Sequence, residues 1–309
     1  MIVGDLGPQA LDHCLRHGGL QIRTGPIATN VRTSIAAVRR GISLHYAQHE
    51  AEVTTGFADF HVSVERPQNY RRWIDRQVVF RFDGSQPFAP LPGDQGFPML
   101  EWGLNWCVSS HCHQYLIVHA AVLERDGRAL ILPAPSGSGK STLCAGLAYG
   151  GGWRLLSDEL ALIEPATCQL VALPRPISLK NDSIDVVQQF APSAVFGDVV
   201  HETVKGRVAH VRPPAEAVLR ASRPAPPAWV VLPRFAAGVA ARMEPLSRAR
   251  AFMALVDNAF NYGVLGRRGF NAIGELIDRC DCHEFTYSNL HEAVAMFDRL
   301  ARSEQWLPT

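Results

Sequence analysis

Lysine is scarce in this sequence. Of thirty basic residues only Lys140, Lys180 and Lys205 are lysines, which leaves 27 arginines. The two side chains are not interchangeable: lysine is a compact point charge on a flexible stem, arginine a wide planar fork. A lysine kept against so strong a preference marks a place where the fork will not serve, so all three become site candidates. Long apolar runs are also missing. None approaches the ~20 residues that span a bilayer, and Met1 to Asp5 offer no basic start before an apolar core, so neither membrane insertion nor a signal peptide is expected. The net charge is only +1, which removes any global attraction to nucleic acid or to an anionic membrane. Seven cysteines make an odd, irregularly spaced set and read as reduced thiols of a cytoplasmic protein, not as a disulfide framework.

What is present is enough for two modest domains: 309 residues at 47% hydrophobic composition. Residues 1–97 read as a β-rich N-terminal accessory unit. Two short strands are expected over 19–32, broken at Gly25-Pro26, with further strands at 57–65 and 77–82 and a helix over 34–46 that Gly41 weakens. The Gly- and Pro-rich stretch 83–98 reads as a linker. Residues 98–309 open with a helical pattern over 100–112. A hairpin pair then turns at Asp126-Gly127. Later come helical patterns at 246–260 and 264–277, a strand at 283–287, and a last helix that Asn289 caps, with Glu292 completing a capping box.

The chemistry is concentrated in Ala134-Pro135-Ser136-Gly137-Ser138-Gly139-Lys140-Ser141-Thr142. Gly137 and Gly139 let the backbone curl so that successive N–H groups point at phosphate oxygens. A helix begins there and adds its positive dipole end. Lys140 is spaced to reach the β- and γ-phosphates, and the Ser141 hydroxyl to ligate Mg²⁺. A chance glycine turn would lack the strand before it (129–132) and the helix after it (141–148). Ser136 through Thr142 are therefore read as nucleotide-binding residues. Asp158 and Glu159 close the next strand, eighteen and nineteen residues after Lys140. One carboxylate can hold Mg²⁺, and the other can accept a proton from an attacking hydroxyl.

From Val118 to Ile163 the sequence resembles the catalytic core of HPr kinase/phosphorylase, in particular the branch called HPr-kinase-related kinase A. The resemblance rests on His119, on the loop 135–142 and on Leu155-Leu156-Ser157-Asp158-Glu159. More distantly it is similar to the phosphoenolpyruvate carboxykinase type of P-loop protein, and more weakly it extends through 174–181 and 204–210. It implies an α/β P-loop kinase core that uses ATP or GTP with Mg²⁺. By position, Asp158 would take the acceptor's proton and His119 would help set that acid's state. Ser141 with an acidic neighbour, Glu159 or Asp158, would hold the metal. The sequence departs from the family at Glu159, where a second Asp is usual, and at a later carboxylate, near which only Ser178 stands. Phosphorylase activity and HPr as substrate are therefore not carried over.

Two Cys/His clusters, Cys107-His111-Cys112-His113 and Cys280-Cys282-His283, suggest zinc, but their spacing fits no common knuckle and burial explains cysteines well. His201 and His210 flank Lys205 at the rim of the same region, and lone histidines of this kind are more often surface or core residues. The expectation is a cytoplasmic kinase that phosphorylates a hydroxyl, a serine of a small protein or peptide by analogy with the family. A small-molecule acceptor, a nucleotide-dependent regulatory module without transfer, and self-association stay open.

The lysine argument makes its own prediction. Lys180→Arg and Lys205→Arg keep the charge but should lower turnover markedly, whereas surface lysines would tolerate the change within about 0.5 kcal/mol and without loss of rate. Wild-type turnover in both variants would show that these lysines are incidental.

Overall fold

The computed structural model describes residues 1–302 except 54, 55, 71–73, 75 and 136. The first part of the chain contributes α1 (Pro8–Arg16), β1 (Leu20–Thr24), β2 (Ile27–Thr33), α2 (Ala36–His45), β3 (Ala51–Glu52), β4 (Phe60–Glu65), β5 (Gln77–Phe82), β6 (Leu91–Pro92) and α3 (Gly96–His111). Its strands form one sheet in the order β3-β1-β2-β4-β5-β6. Alternation along β4 buries Phe60, Val62 and Val64, and α3 lies across β4 and β5. Gly41 does not weaken α2 by accident: a Cβ there would overlap the Phe97 ring.

That packing corrects the expected boundary. The stretch read as a linker contains β6 and leads directly into α3, so a division at 97/98 would cut a helix. Phe97, Leu100, Leu104 and Cys107 of α3 bury themselves with the first sheet, and Ile117, Leu160 and Leu162 of the second sheet enter the same apolar core. The two units are thus joined through a shared core.

The second part is a mixed α/β layer structure. Its strands are β7 (Leu116–Arg125), β8 (Arg128–Pro133), β9 (Arg154–Ser157), β10 (Leu160–Ile163), β11 (Leu170–Val171), β12 (Ile177–Lys180), β13 (Val200–Thr203), β14 (Gly206–Val211), β15 (Pro227–Phe235), β16 (Arg242–Pro245) and β17 (Asp281–Tyr287). The helices are α4 (Lys140–Gly150), α5 (Asp182–Phe190), α6 (Ala215–Leu219), α7 (Arg248–Asp257), α8 (Tyr262–Leu265), α9 (Arg267–Asp278) and α10 (Leu290–Arg302). The large sheet runs β11-β10-β7-β8-β15-β17-β16, with β9 also on β7, and β12-β14-β13 form a small separate sheet. Successive residues of β7 face opposite cores: Ala121 and Leu123 pack with α4 and α10, Ala120 and Val122 with α7 and α9. A strand buried on both faces reads as a continuous apolar run, as this one does.

The helical pattern 264–277 is in fact two helices, parted at Gly266, whose φ of +53° a non-glycine residue adopts only with strain. At α10, Asn289 Oδ1 accepts from the amides of His291 and Glu292 as a cap should. Glu292 instead reaches outward and accepts from the Ala241 amide. Among the described residues no helix is long and apolar enough to cross a membrane.

Two helical glycines separate packing from propensity. At Gly103 in α3 a Cβ would overlap the buried Phe80 ring, whereas at Gly274 in α9 it would meet nothing within 4 Å. Gly274→Ala should stabilise the protein by about 1 kcal/mol through helix propensity. Gly103→Ala should destabilise it by about 1–2 kcal/mol, because overpacking exceeds the propensity gain. Urea unfolding of both variants checks the signs.

Candidate functional site

β7 sets the geometry of the site. Its residue Ala120 pairs with Pro133 at the end of β8, where the glycine loop begins. On its other edge His119 pairs with Leu160, the first residue after Asp158-Glu159. Because β8 and β9 both run antiparallel to β7, they end on the same side of the sheet. The glycine loop and the acidic turn therefore meet across one strand, and that strand carries His119.

In the loop, Gly137 and Gly139 have φ of +88° and +87°. The Ser138 carbonyl accepts from the Phe235 amide at 2.9 Å, and the Gly139 carbonyl from the Tyr287 hydroxyl at 2.8 Å. The ends of β15 and β17 thus clamp the loop from outside, while within it the Ser138 amide donates to the Pro135 carbonyl at 3.4 Å. α4 begins at Lys140, so its first-turn N–H groups have no acceptor within the helix. Ser138 Oγ is buried without a partner among the described residues. Ser136, expected among the phosphate-binding residues, lies outside the described residues.

The Lys140 side chain is only 5% exposed. Its Nζ donates to the Asp158 carbonyl at 3.0 Å and lies 3.3 Å from His119 Nε2. Burial first, and the nearby Lys140 ammonium second, bring the His119 pKa down to about 4, so the ring is neutral at neutral pH and its Nε2 can accept from the ammonium. Glu159 Oε2 stands 3.9 Å from the same nitrogen.

The two adjacent acids part company. Glu159 faces a cleft of about 600 Å³ that the glycine loop, His119, Lys180 and Lys205 also line. Burial pushes its carboxyl up, but Lys140, Lys180, His119 and Lys205 together outweigh that and hold it below the usual range. Asp158, expected as the proton acceptor, does not face this cleft. It is 4% exposed, and its Oδ2 accepts from the Ser178 amide at 3.1 Å. Its Oδ1 is buried without a hydrogen-bond partner. Burial dominates and raises its pKa, with the Glu159 charge adding to the rise; Lys140, the Ser178 amide and the Ser141 hydroxyl oppose it. Asp158 is thus directed toward the glycine-loop helix and β12, not toward an incoming acceptor. The reason is its position: Asp158 and Glu159 form a bend between β9 and β10, which continue along β7 in one direction, and adjacent side chains of an extended chain point to opposite faces.

All three lysines border this one cleft, together with Ser141 and Thr142. Lys180 and Lys205 come from different turns, and Asn181 ties those turns together. Its Nδ2 donates to the Lys205 carbonyl at 3.4 Å, and its Oδ1 accepts from the Arg207 amide at 3.0 Å. Gly206 follows Lys205 at the start of β14. What approaches it is Asn181, whose Oδ1 a Cβ would overlap, and its φ is +80°. The Lys205 ammonium sits 5.0 Å over the Trp102 ring. Sequence reasoning missed Asn181, Phe235 and Tyr287. No motif marks them; only strand ends converging on the loop would have done so.

The two Cys/His clusters are separated. Cys107 and Cys112 belong to the first core and Cys280 and Cys282 to the α7–α9 side. Among the described residues no group of three or more His, Cys, Asp or Glu side chains is placed to hold a metal, and all seven cysteines are free and buried.

A Cβ at Gly139 would stand 2.6 Å from the Tyr287 hydroxyl. Gly139→Ala should therefore cost stability twice, ~1–2 kcal/mol for the left-handed backbone and ~1–3 kcal/mol for overlap. Adding Tyr287→Phe should restore only the second part. Thermal unfolding of the single and double variants checks this; no recovery in the double variant would remove the overlap argument.

In comparison with known families, the family model described as SynChlorMet cassette protein ScmC matches residues 99–179. The matched stretch contains the glycine loop, the acidic turn and Ser178. No curated protein matches the chain.

Proposed function

We propose that the protein is a Mg²⁺-dependent kinase that transfers the γ-phosphoryl group of ATP or GTP to a hydroxyl, with an HPr-kinase-like P-loop core and a serine of a small protein or peptide as acceptor. One observation carries the reading: in a chain that otherwise uses arginine, all three lysines border the cleft of the glycine loop, against two carboxylates, Glu159 and Asp182. Such an excess of ammonium suits a polyanion. The residues present fit the nucleotide and its metal. The helix after the loop starts at Lys140 and offers its first-turn N–H groups, and among the described residues Ser138 Oγ and Asp158 Oδ1 are buried polar atoms without partners, a state that costs about 1–3 kcal/mol per atom.

Bound Mg²⁺·nucleotide would supply the transferable phosphoryl group and much of the charge neutralisation that phosphoryl transfer requires. The glycine-loop amides, Ser138 and Lys140 would hold the phosphates, and Ser141 with Asp158 the metal. Glu159 is the chain's own base in this scheme: ionised at neutral pH, it faces the cleft and can take the proton of an incoming hydroxyl. Neutral His119 accepts from the Lys140 ammonium without adding charge. Lys180 and Lys205 neutralise charge that builds on the moving group, a task for which a mobile point charge suits better than a fork. The withdrawal of Asp158 from the cleft favours a second reading, a nucleotide-dependent module without transfer.

The test uses calorimetric titration with Mg·ATP and labelling of serine-peptide arrays from γ-labelled ATP. Lys140→Ala should abolish both binding and labelling. Glu159→Gln should bind but lose ~10²–10⁴-fold in transfer. Asp158→Asn should chiefly raise the Mg²⁺ concentration needed. Reversed effects of the two acid variants would return the base role to Asp158. Binding without label or hydrolysis would favour the second reading, and no binding would remove the proposal.

A further inference from the structure

A second cleft of about 600 Å³ lies where the two units meet, between α2 with the start of α3 on one side and residues 197–200 with the end of β14 on the other. That volume is within the range of small-molecule sites. Two imidazoles border it, His45 at 1% and His210 at 3% exposure. Both pack on Phe97, with centroids 5.0 Å and 5.2 Å away. Among the described residues, His45 Nδ1 and His210 Nε2 are buried with no partner. Buried polar atoms in native proteins are nearly always satisfied, so two unsatisfied ones on the same cleft call for something that enters it. Burial, reinforced by neighbouring positive charge, brings both rings down to about 3. Each is therefore neutral and offers one donor and one acceptor.

The charges around the cleft are mostly spent on each other. Arg39 pairs with Asp12, and Arg40 with Asp198. Arg212 is different. It is half-buried; its Nε donates to the Leu44 carbonyl, and its terminal amino groups have no acceptor among the described residues. Asp94, the remaining acid, is exposed. The inner wall therefore presents one guanidinium and two neutral imidazoles, beside the apolar surfaces of Leu11, Leu44 and Phe97. Gly197 keeps the cleft open, since a Cβ there would overlap the His45 ring.

We infer that this cleft is a second ligand site, for a small organic anion whose acid group meets Arg212 and hydrogen-bonds the two imidazoles while its apolar body lies on Leu11, Leu44 and Phe97. The site does not depend on nucleotide chemistry, but it is close to it. His210 pairs with Ser178 across β12 and β14, and the two residues share a small cavity with Asp158 and Glu159.

The probe is 1-anilinonaphthalene-8-sulfonate, an aromatic anion whose fluorescence rises on binding. Wild-type protein should show one saturable site. Arg212→Gln should weaken it by about tenfold or more, the worth of a charge-assisted contact. Ser43→Trp, at an exposed position on the cleft wall, should block it with circular dichroism and melting unchanged, which guards against an Arg212 variant that fails to fold. Phe235→Asp, in the glycine-loop cleft, should leave binding as it was. Absence of saturable binding, survival of binding in Ser43→Trp, or its loss in Phe235→Asp instead would overturn the inference.

Discussion

A buried ammonium must be met by partners, and most of this site follows from how the chain meets Lys140. Taking an unpaired charge from water costs several kcal/mol even after relaxation. Here the charge is met by the Asp158 carbonyl, by His119 Nε2 and by the two carboxylates of the acidic turn. These groups come from separate strands, so their meeting depends on register. β7 has to place His119 beside both the end of β8 and the turn after β9. A one-residue slip of β7 would turn His119 to the opposite face and exchange the two apolar cores that its alternate residues fill. The geometry of the site and the packing of the sheet are therefore fixed by the same alignment.

Environment then divides two neighbours that sequence alone cannot divide. Asp158 and Glu159 are adjacent and chemically alike, yet burial raises the first and surrounding cations lower the second. Pairs of carboxyls driven apart in this way commonly take different tasks. Asp158, clamped by the Ser178 amide, is a fixed structural acid next to Ser141. Glu159, on the open side of the turn, keeps one carboxylate oxygen near His119 and the rest of its surface in the cleft. Lys180 and Lys205 act on that carboxylate through space, and Asn181 joins the segments that carry them.

Much of this was legible in the sequence, for identifiable reasons. The glycine loop announces itself because only small residues permit its backbone path. The imbalance between lysine and arginine singled out Lys180 and Lys205 without any motif, and both border the same cleft as Lys140. β7, β8, α4 and β9 were legible from apolar runs punctuated by Asp126-Gly127 and Gly150-Gly151-Gly152. Three things were not. The direction in which Asp158 and Glu159 point depends on the break in pairing between β9 and β10, which no periodicity encodes. Gly266 interrupts a helical pattern through its backbone angle alone. The placement of α3 depends on long-range contacts, because an apolar helix after a Gly- and Pro-rich stretch can pack backward as readily as forward.

That backward packing bears on what the first unit does. α3 supplies Glu101, which accepts from Tyr46 at 2.6 Å and from Arg175 at 2.7 Å, and Asn105, which accepts from Arg175 at 2.8 Å. His49 bonds the Pro174 carbonyl at 2.8 Å. The segment 174–175 leads into β12, whose Ser178 amide holds Asp158 and whose last residue is Lys180. Trp102 of the same helix lies under Lys205. Breaking a buried pair such as Glu101–Arg175 typically costs about 3–5 kcal/mol, because the surviving charge is left without a partner. So the chain between the acidic turn and Lys180 is held in place by residues of the first unit, on the side away from the glycine loop. A unit that read in sequence as an accessory module is, in packing terms, the back wall against which Asp158, Lys180 and Lys205 are positioned. The second cleft opens in that same wall.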